Sequence, residues 1–267
     1  MLKIDTFSEI GSQHKICQDY SVSSEDPSPF IVLSDGCSSS KDTDMGSRIL
    51  CHLAKQYFNY NKHSFDYIQK DQLGDWVINN AEQTARHLGL TDTCLDATLI
   101  VVYPMLSYLN IVFYGDGLVI LEDSKGELEI FSIHYTLNAP YYLSYKINPK
   151  RRLDYHNMKV TKKVLETVHG KEIEGEMAYD NPFVLNINLI TSGYRKIMIC
   201  TDGIESFLKG DEKPDKEMLN LIFKQCLSFK TTSGEFLKRR MSRVLKDLKS
   251  EGWDHYDDLT AGVILLE

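Results

Sequence analysis

Hydrophobic residues fall along the chain in short, dense runs separated by polar loops. Leu2–Phe7, Phe30–Leu33, Ala97–Tyr103, Tyr108–Tyr114, Leu118–Leu121, Leu128–His134, Ile197–Cys200 and Leu259–Leu266 are rich in β-branched and aromatic side chains and read as strands. A different period, with apolar residues every three or four positions, marks helices over Gly46–Tyr60, Phe65–Leu88, Lys216–Phe229 and Gly234–Lys249. Strands, two long helices, a series of strands, two more helices and a last strand follow one another without regular βαβ alternation. That order favours sheets covered by helices over a doubly wound parallel fold. Residues 135–185, rich in Tyr, Asn, Lys and Pro with weak periodicity, read as a loop-dominated excursion within a single domain spanning 1–267.

Composition narrows the class. The chain has 267 residues, 42% hydrophobic and 25% charged, as in soluble globular proteins. No apolar run approaches the eighteen or so residues of a membrane span, so no membrane association is expected. The amino-terminal MLKIDTFSEIGSQ lacks an apolar signal core, and a cytoplasmic location is expected. Six scattered cysteines without a CxxC pair argue against a structural zinc site or a disulfide framework. A net charge of −8 works against binding nucleic acid. The one basic cluster, Lys150-Arg151-Arg152, reads as a solvated loop face, with a contact to a phosphorylated or acidic partner as the alternative.

The carboxylates at the ends of the apolar runs carry the chemistry. Asp-Gly occurs at 35–36, 116–117 and 202–203, in FIVLSDG, IVFYGDG and KIMICTDG. Asp116-Gly117 is expected to be a tight hairpin, because LVIL returns at once. The other two are followed by small-residue or helix-like segments, so an aspartate beside a glycine there suggests a cation or oxyanion site. Asp19 in CQDY and the pair Asp257-Asp258 before the last strand add further acids. Several aspartates gathered at one end of adjoining strands repel one another unless a cation lies among them. An all-oxygen donor set selects hard ions, Mg²⁺ or Mn²⁺.

The ordered series QD, DG after an apolar run, GDG, TDG and DDLT resembles the metal-dependent protein phosphatases of the type 2C family, from Gly11 to Glu267. The resemblance implies an α+β fold, a four-layer αββα sandwich of two mostly antiparallel sheets flanked by helices. It implies hydrolysis of phosphoserine and phosphothreonine in proteins by water between two Mn²⁺ or Mg²⁺ ions, with a weaker third ion. Carried over by motif, Asp35 bridges the two principal ions with the Gly36 carbonyl on one of them. Asp202 and Asp257 complete the first ion, Asp19 acts at the second through water, and Asp116 serves the third. The expected partner is a phosphorylated protein opposed by a serine/threonine kinase, and the expected state is a monomer.

The departures are specific. The family's phosphate-binding Arg, five residues before the QD aspartate, is His14, a candidate for phosphate contact or proton donation. Cys37 stands where many members have a candidate general acid, and Ser38-Ser39-Ser40 replace glycines. Ser206 stands where the family has an acid four residues after the TDG aspartate, with Glu205 beside it. Asp258 replaces the usual Asn of the last motif and is expected to orient its loop. Two other readings stay open: a pseudophosphatase that binds without turnover, and a hydrolase of small phosphoesters. Residues 135–185 occupy the place of the family's variable flap and are expected to help select substrate.

Overall fold

The computed structural model describes residues 2–25, 29–61, 70–168 and 170–266. In chain order, β1 (Leu2–Glu9), β2 (Tyr20–Ser24) and β3 (Phe30–Ser34) lead into helices α1 (Thr43–Asn61) and α2 (Lys70–His87). Four strands follow: β4 (Leu99–Met105), β5 (Tyr108–Tyr114), β6 (Gly117–Asp123) and β7 (Leu128–Tyr135). The short helices α3 (Ser144–Ile147) and α4 (Pro149–Asn157) precede β8 (Lys162–Val168), β9 (Lys171–Met177), β10 (Phe183–Asn188) and β11 (Tyr194–Cys200). The chain closes with β12 (Phe207–Leu208), α5 (Lys216–Cys226), α6 (Phe236–Ser250), β13 (Asp254–His255) and β14 (Leu259–Leu266).

Two antiparallel sheets form the centre, one of seven strands in the order β1-β14-β11-β6-β7-β8-β9 and one of five in the order β10-β5-β4-β3-β2. Strand alternation assigns each core residue to a layer. Ile31 and Leu33, Ile100 and Val102, Val119 and Leu121, and Ile197 and Ile199 meet between the sheets. Their neighbours Phe30, Val32, Leu99 and Val101 face Leu50, Phe58, Leu73 and Val77 of α1 and α2. On the far side, Leu118, Ile120, Met198 and Val263 face Phe223 of α5 and Met241 and Val244 of α6. Central strands buried on both faces therefore read as unbroken apolar runs, each large side chain contributing roughly 1.5–3 kcal/mol by leaving water. The result is the expected αββα sandwich. No helix among the described residues is long and apolar enough to cross a membrane.

The sheets approach closely at Gly262 in β14, where a Cβ would lie 2.6 Å from Ile31 Cγ2. Gly262→Ala is expected to cost about 1–3 kcal/mol through overpacking. A chemical melt unchanged from that of the parent protein would show that the layers can part at no cost.

Three expectations change. Asp116-Gly117 is not a hairpin: β5 and β6 belong to different sheets, and the chain crosses between them through Gly115 and Gly117, both at positive φ (108° and 133°). A Cβ on Gly117 would meet the Cys200 carbonyl oxygen at 2.7 Å and the Phe113 ring at 2.9 Å, so the crossing needs glycine for both conformation and space. IESFLKG after Gly203 is not a helix but one 3-10 turn, Asp202–Glu205, running into β12.

The 135–185 segment is structured. It holds α3, α4, β8, β9 and the start of β10, with β8 and β9 extending the seven-stranded sheet at its edge. Those strands, KKVLETV and KEIEGEM, carry charges because little covers them, and such charges also discourage edge-to-edge pairing. Of the expected Phe65–Leu88 helix, residues 65–69 lie outside the described residues; the remainder matches α2.

Candidate metal centre

The acids singled out above converge where strands from both sheets end. Asp35 follows β3, Asp202 follows β11, Asp257 precedes β14, Asp19 precedes β2 and Asp116 lies in the crossing from β5 to β6. Their proximity shows in their electrostatics. The Asp35 carboxyl is held well above the usual range by burial first, then by the charges of Asp19, Asp202, Asp116 and Asp257. Asp116 is likewise held high by burial and by Asp202. Burial raises Asp19 to about 7, against the pull of the hydrogen bond from Thr201. Asp257, at the rim, is raised by burial and by Asp202.

The backbone around Asp35 is fixed by the segment entering β4. Thr98 N–H donates to the Asp35 carbonyl (2.8 Å), and Asp35 N–H donates to Thr98 Oγ1 (3.0 Å). Gly36 pairs with Ala97 in an isolated β-bridge, and a Cβ on Gly36 would lie 2.9 Å from the Gln18 carbonyl oxygen and from Thr43. Thr201 Oγ1 donates to Asp19 Oδ2 (2.9 Å) and accepts from Thr260 N–H (2.9 Å), tying Asp19 to β11 and β14.

Asp258 is almost fully buried and organises the amino-terminal loop. Its Oδ1 accepts from Gly11 N–H (2.8 Å) and its Oδ2 from Gln18 N–H (2.6 Å). His14 Nδ1 lies 2.9 Å from Asp258 Oδ2, and Nε2 lies 3.4 Å from Asp257 Oδ1. Burial alone would lower the His14 pKa, but its hydrogen bond to Asp258 and the charges of Asp258, Asp257 and Asp19 together raise it.

Ser206 does not act as a ligand: its hydroxyl donates to the Gly203 carbonyl (2.7 Å) and accepts from Asp257 N–H (3.2 Å), joining the Asp202 turn to the Asp257 loop. Glu205 beside it is raised to about 7 by burial and then by Asp202. Cys37 Sγ lies 3.1 Å from Ser39 Oγ, and Ser40 Oγ donates to Asp96 (2.7 Å). The serine hydroxyls are thus engaged within the loop and its support.

The donor set fits a divalent cation. Asp19 Oδ1 and Asp202 Oδ1 are buried without a hydrogen-bond partner, which is costly unless something positive meets them. Every donor is a hard oxygen, suited to Mg²⁺ or Mn²⁺. Among the described residues, no three or more His, Cys, Asp or Glu side chains form a group that could hold a metal ion as they stand. A hollow of about 470 Å³ beside Phe229, between α5 and α6, and Phe236 and Arg239 of α6 contains none of these acids. Chemistry rather than cavity size marks the site.

Asp96, Thr98 and Thr201 escaped the sequence reading, and Tyr142 entered it only with Tyr141 as part of the 135–185 segment. Tyr142 is buried near Asp116, Cys37 and Asp35, and its hydroxyl pKa is pushed up by burial and by those groups. The polar Asp-Ala-Thr opening an otherwise apolar run, LDATLIVV, was the available signal for the first two.

The sequence profile of the family described as Protein phosphatase 2C matches residues 10–247. Solved structures share the fold along the whole chain. Serine/threonine phosphatase Stp1 from Staphylococcus aureus is 16% identical with a TM-score of 0.60, over 100% of this chain and 96% of that one. The Mycobacterium tuberculosis serine/threonine phosphatase PstP/Ppp is 15% identical with a TM-score of 0.57, over 100% and 99%. PppA, a key regulatory component of T6SS in Pseudomonas aeruginosa, is 14% identical with a TM-score of 0.56, over 100% and 98%. No curated protein sequence matches.

Proposed function

Because the chain belongs to the protein phosphatase 2C family, we propose that it hydrolyses phosphoserine and phosphothreonine esters in proteins, using Mn²⁺ or Mg²⁺ held by Asp19, Asp35, Gly36, Asp202 and Asp257. The observation that carries this reading is the cluster of five mutually repelling aspartates in which two buried oxygens lack partners. Family membership supports the activity; the cluster supports the metal dependence. The family match ends at residue 247, so Asp257 is assigned by its position against Asp202 and Asp35.

Two such cations, when bound, supply acidified water and neutralise phosphoryl oxygens during in-line attack. The residues of the chain do the rest. Asp35, at the centre of the cluster, would help hold both ions, with Asp202 and Asp257 toward one and Asp19 toward the other. Asp116 would hold a weaker third ion, and Glu205, beside Asp202, stands next to the position where Ser206 supplies no acid. His14, its pKa raised by Asp258, would offer Nε2 to a phosphoryl oxygen or to the leaving alkoxide. Residues 135–185 border the site through Tyr142 and bias the choice of substrate. The natural partner is a phosphorylated protein in the cytoplasm, opposed by a serine/threonine kinase.

The test is phosphate release from phosphothreonine and phosphoserine peptides beside a panel of nucleotides and sugar phosphates. Peptide turnover in Mn²⁺, lost in EDTA and restored by Mn²⁺, is expected. Preference for the small esters would make the protein a small-molecule phosphoesterase. Mn²⁺ binding in calorimetry without any turnover would make it a pseudophosphatase.

A further inference from the structure

Asp96 is only 3% exposed, and it binds on three fronts. Arg151 Nη2 donates to both of its carboxylate oxygens at 2.7 Å, Ser144 Oγ donates to Oδ1 at 2.6 Å, and Ser40 Oγ donates to Oδ2 at 2.7 Å. Its backbone carbonyl accepts from Cys37 N–H at 2.8 Å. Ser40 and Cys37 belong to the loop that carries Asp35. Ser144 and Arg151 belong to α3 and α4, more than forty residues further along the chain. One buried aspartate therefore joins two parts of the protein that share no other sequence logic.

The two residues after Asp96 extend the grip to the site. Ala97 bridges Gly36, and Thr98 holds Asp35 through both its N–H and its hydroxyl, while Ser34 Oγ donates to the Thr98 carbonyl at 2.6 Å. Arg151 is itself preset. Asn148 caps α4 by accepting Arg151 N–H (3.2 Å) and donates to Asp92 Oδ2 (2.8 Å), and the guanidinium lies over the Tyr145 ring at 4.8 Å. The Lys150-Arg151-Arg152 cluster is thus not uniformly a solvated face: Arg151 turns inward to an ion pair while Lys150 and Arg152 stay exposed. A buried carboxylate deprived of its cation is strongly disfavoured, so Asp96 keeps this arrangement only while α4 is docked.

We propose that Asp96 is a positioning residue whose ion pair with Arg151 makes the docking of α3 and α4 a condition for holding Asp35 in place for metal. This rests on the reading of Asp35 as a metal ligand. Any partner or substrate that lifts α4 would then loosen the metal centre, and a substrate that seats α4 would tighten it. Partners one step removed from a ligand typically change metal affinity by about 10–100-fold when lost.

The experiment has two arms on the full chain. Hydrogen exchange of the metal-free protein reads the latch by itself: residues 35–40 are expected to exchange faster in Asp96→Asn and Arg151→Ala, less so in Arg151→Lys, and as in the parent protein in the exposed control Arg152→Ala. Calorimetric titration with Mn²⁺ then reads the consequence: affinity about 10–100-fold weaker in Arg151→Ala, with peptide kcat recovered as Mn²⁺ is raised. Unchanged exchange at 35–40 in both Arg151→Ala and Arg151→Lys overturns the latch, as does unchanged Mn²⁺ affinity. Faster exchange in the variants, with a parent protein that takes no Mn²⁺, overturns instead the assignment of Asp35 as ligand. Should Asp96→Asn fail to fold, Arg151→Lys and Ser144→Ala carry the same comparison.

Discussion

Asp35→Asn is expected to remove at least about 4 kcal/mol of transition-state stabilisation, a loss of roughly a thousandfold in phosphopeptide turnover, because in the proposed function its carboxylate would help hold both cations. The same change is expected to raise the melting temperature of the metal-free protein. Asp35 is half-buried, and the charges that raise its carboxyl most are those of Asp19, Asp202, Asp116 and Asp257. A neutral amide of the same shape relieves that repulsion, and its backbone keeps both hydrogen bonds to Thr98. Each kcal/mol relieved is worth about 2–4 °C in a chain of this size. Opposite signs for activity and stability separate a functional acid from a structural one. A variant that melts lower and loses activity in proportion would place Asp35 in the scaffold, and turnover within about tenfold of the parent would remove it from the bridging position.

The parts of the structure that the chain announces are those where one physical requirement dominates. Phe30–Leu33 and Ile111–Phe113 had to be apolar throughout because helices cover one face and the second sheet covers the other. Their strand character follows from composition alone. Asp35 and Asp202 stood out because each follows an apolar run that no hairpin explains, while Asp116 read as a hairpin and was joined to the others only by the family resemblance. Their order along the chain carried the family resemblance.

What remained hidden depends on contacts between distant residues. β8 and β9 lie at a sheet edge with charged side chains, so neither apolar alternation nor a continuous run marks them. GDG at 115–117 has the composition of a hairpin, and only the placement of β5 and β6 in separate sheets shows that it is a crossing. Arg151 reads as one of three surface cations until Asp96, fifty-five residues earlier, is seen to take it. The same applies to Ser40: its hydroxyl is free to face a ligand in sequence and is committed to Asp96 in space.

The metal-free protein is expected to melt at lower temperature as pH rises from about 5 to about 8, and Mn²⁺ is expected to remove most of that slope. Asp19 titrates near 7 in the folded chain, against about 3.9 when unfolded. Between those values the native state holds a proton that the unfolded state has released, so raising the pH favours unfolding. Asp35 and Asp116, also raised, act in the same direction, as does His14. His134 and His255, lowered by burial, act the other way because their neutral forms gain as pH rises. Lys162, lowered to about 8, acts mainly above this window. Comparing the parent protein with Asp19→Asn cancels the His134, His255 and Lys162 contributions, and the difference between the two melting curves should widen as pH rises to about 7. At a Mn²⁺ concentration of 100 times its dissociation constant, linkage adds about 2.7 kcal/mol, roughly 5–11 °C at 2–4 °C per kcal/mol. That gain should be largest at the alkaline end, where the carboxylates are already charged and no proton has to leave before the cation enters. A difference curve that is flat with pH would mean that Asp19 is not titrating against its neighbours, and the electrostatic case for a cation at this end of the sheets would lose its support.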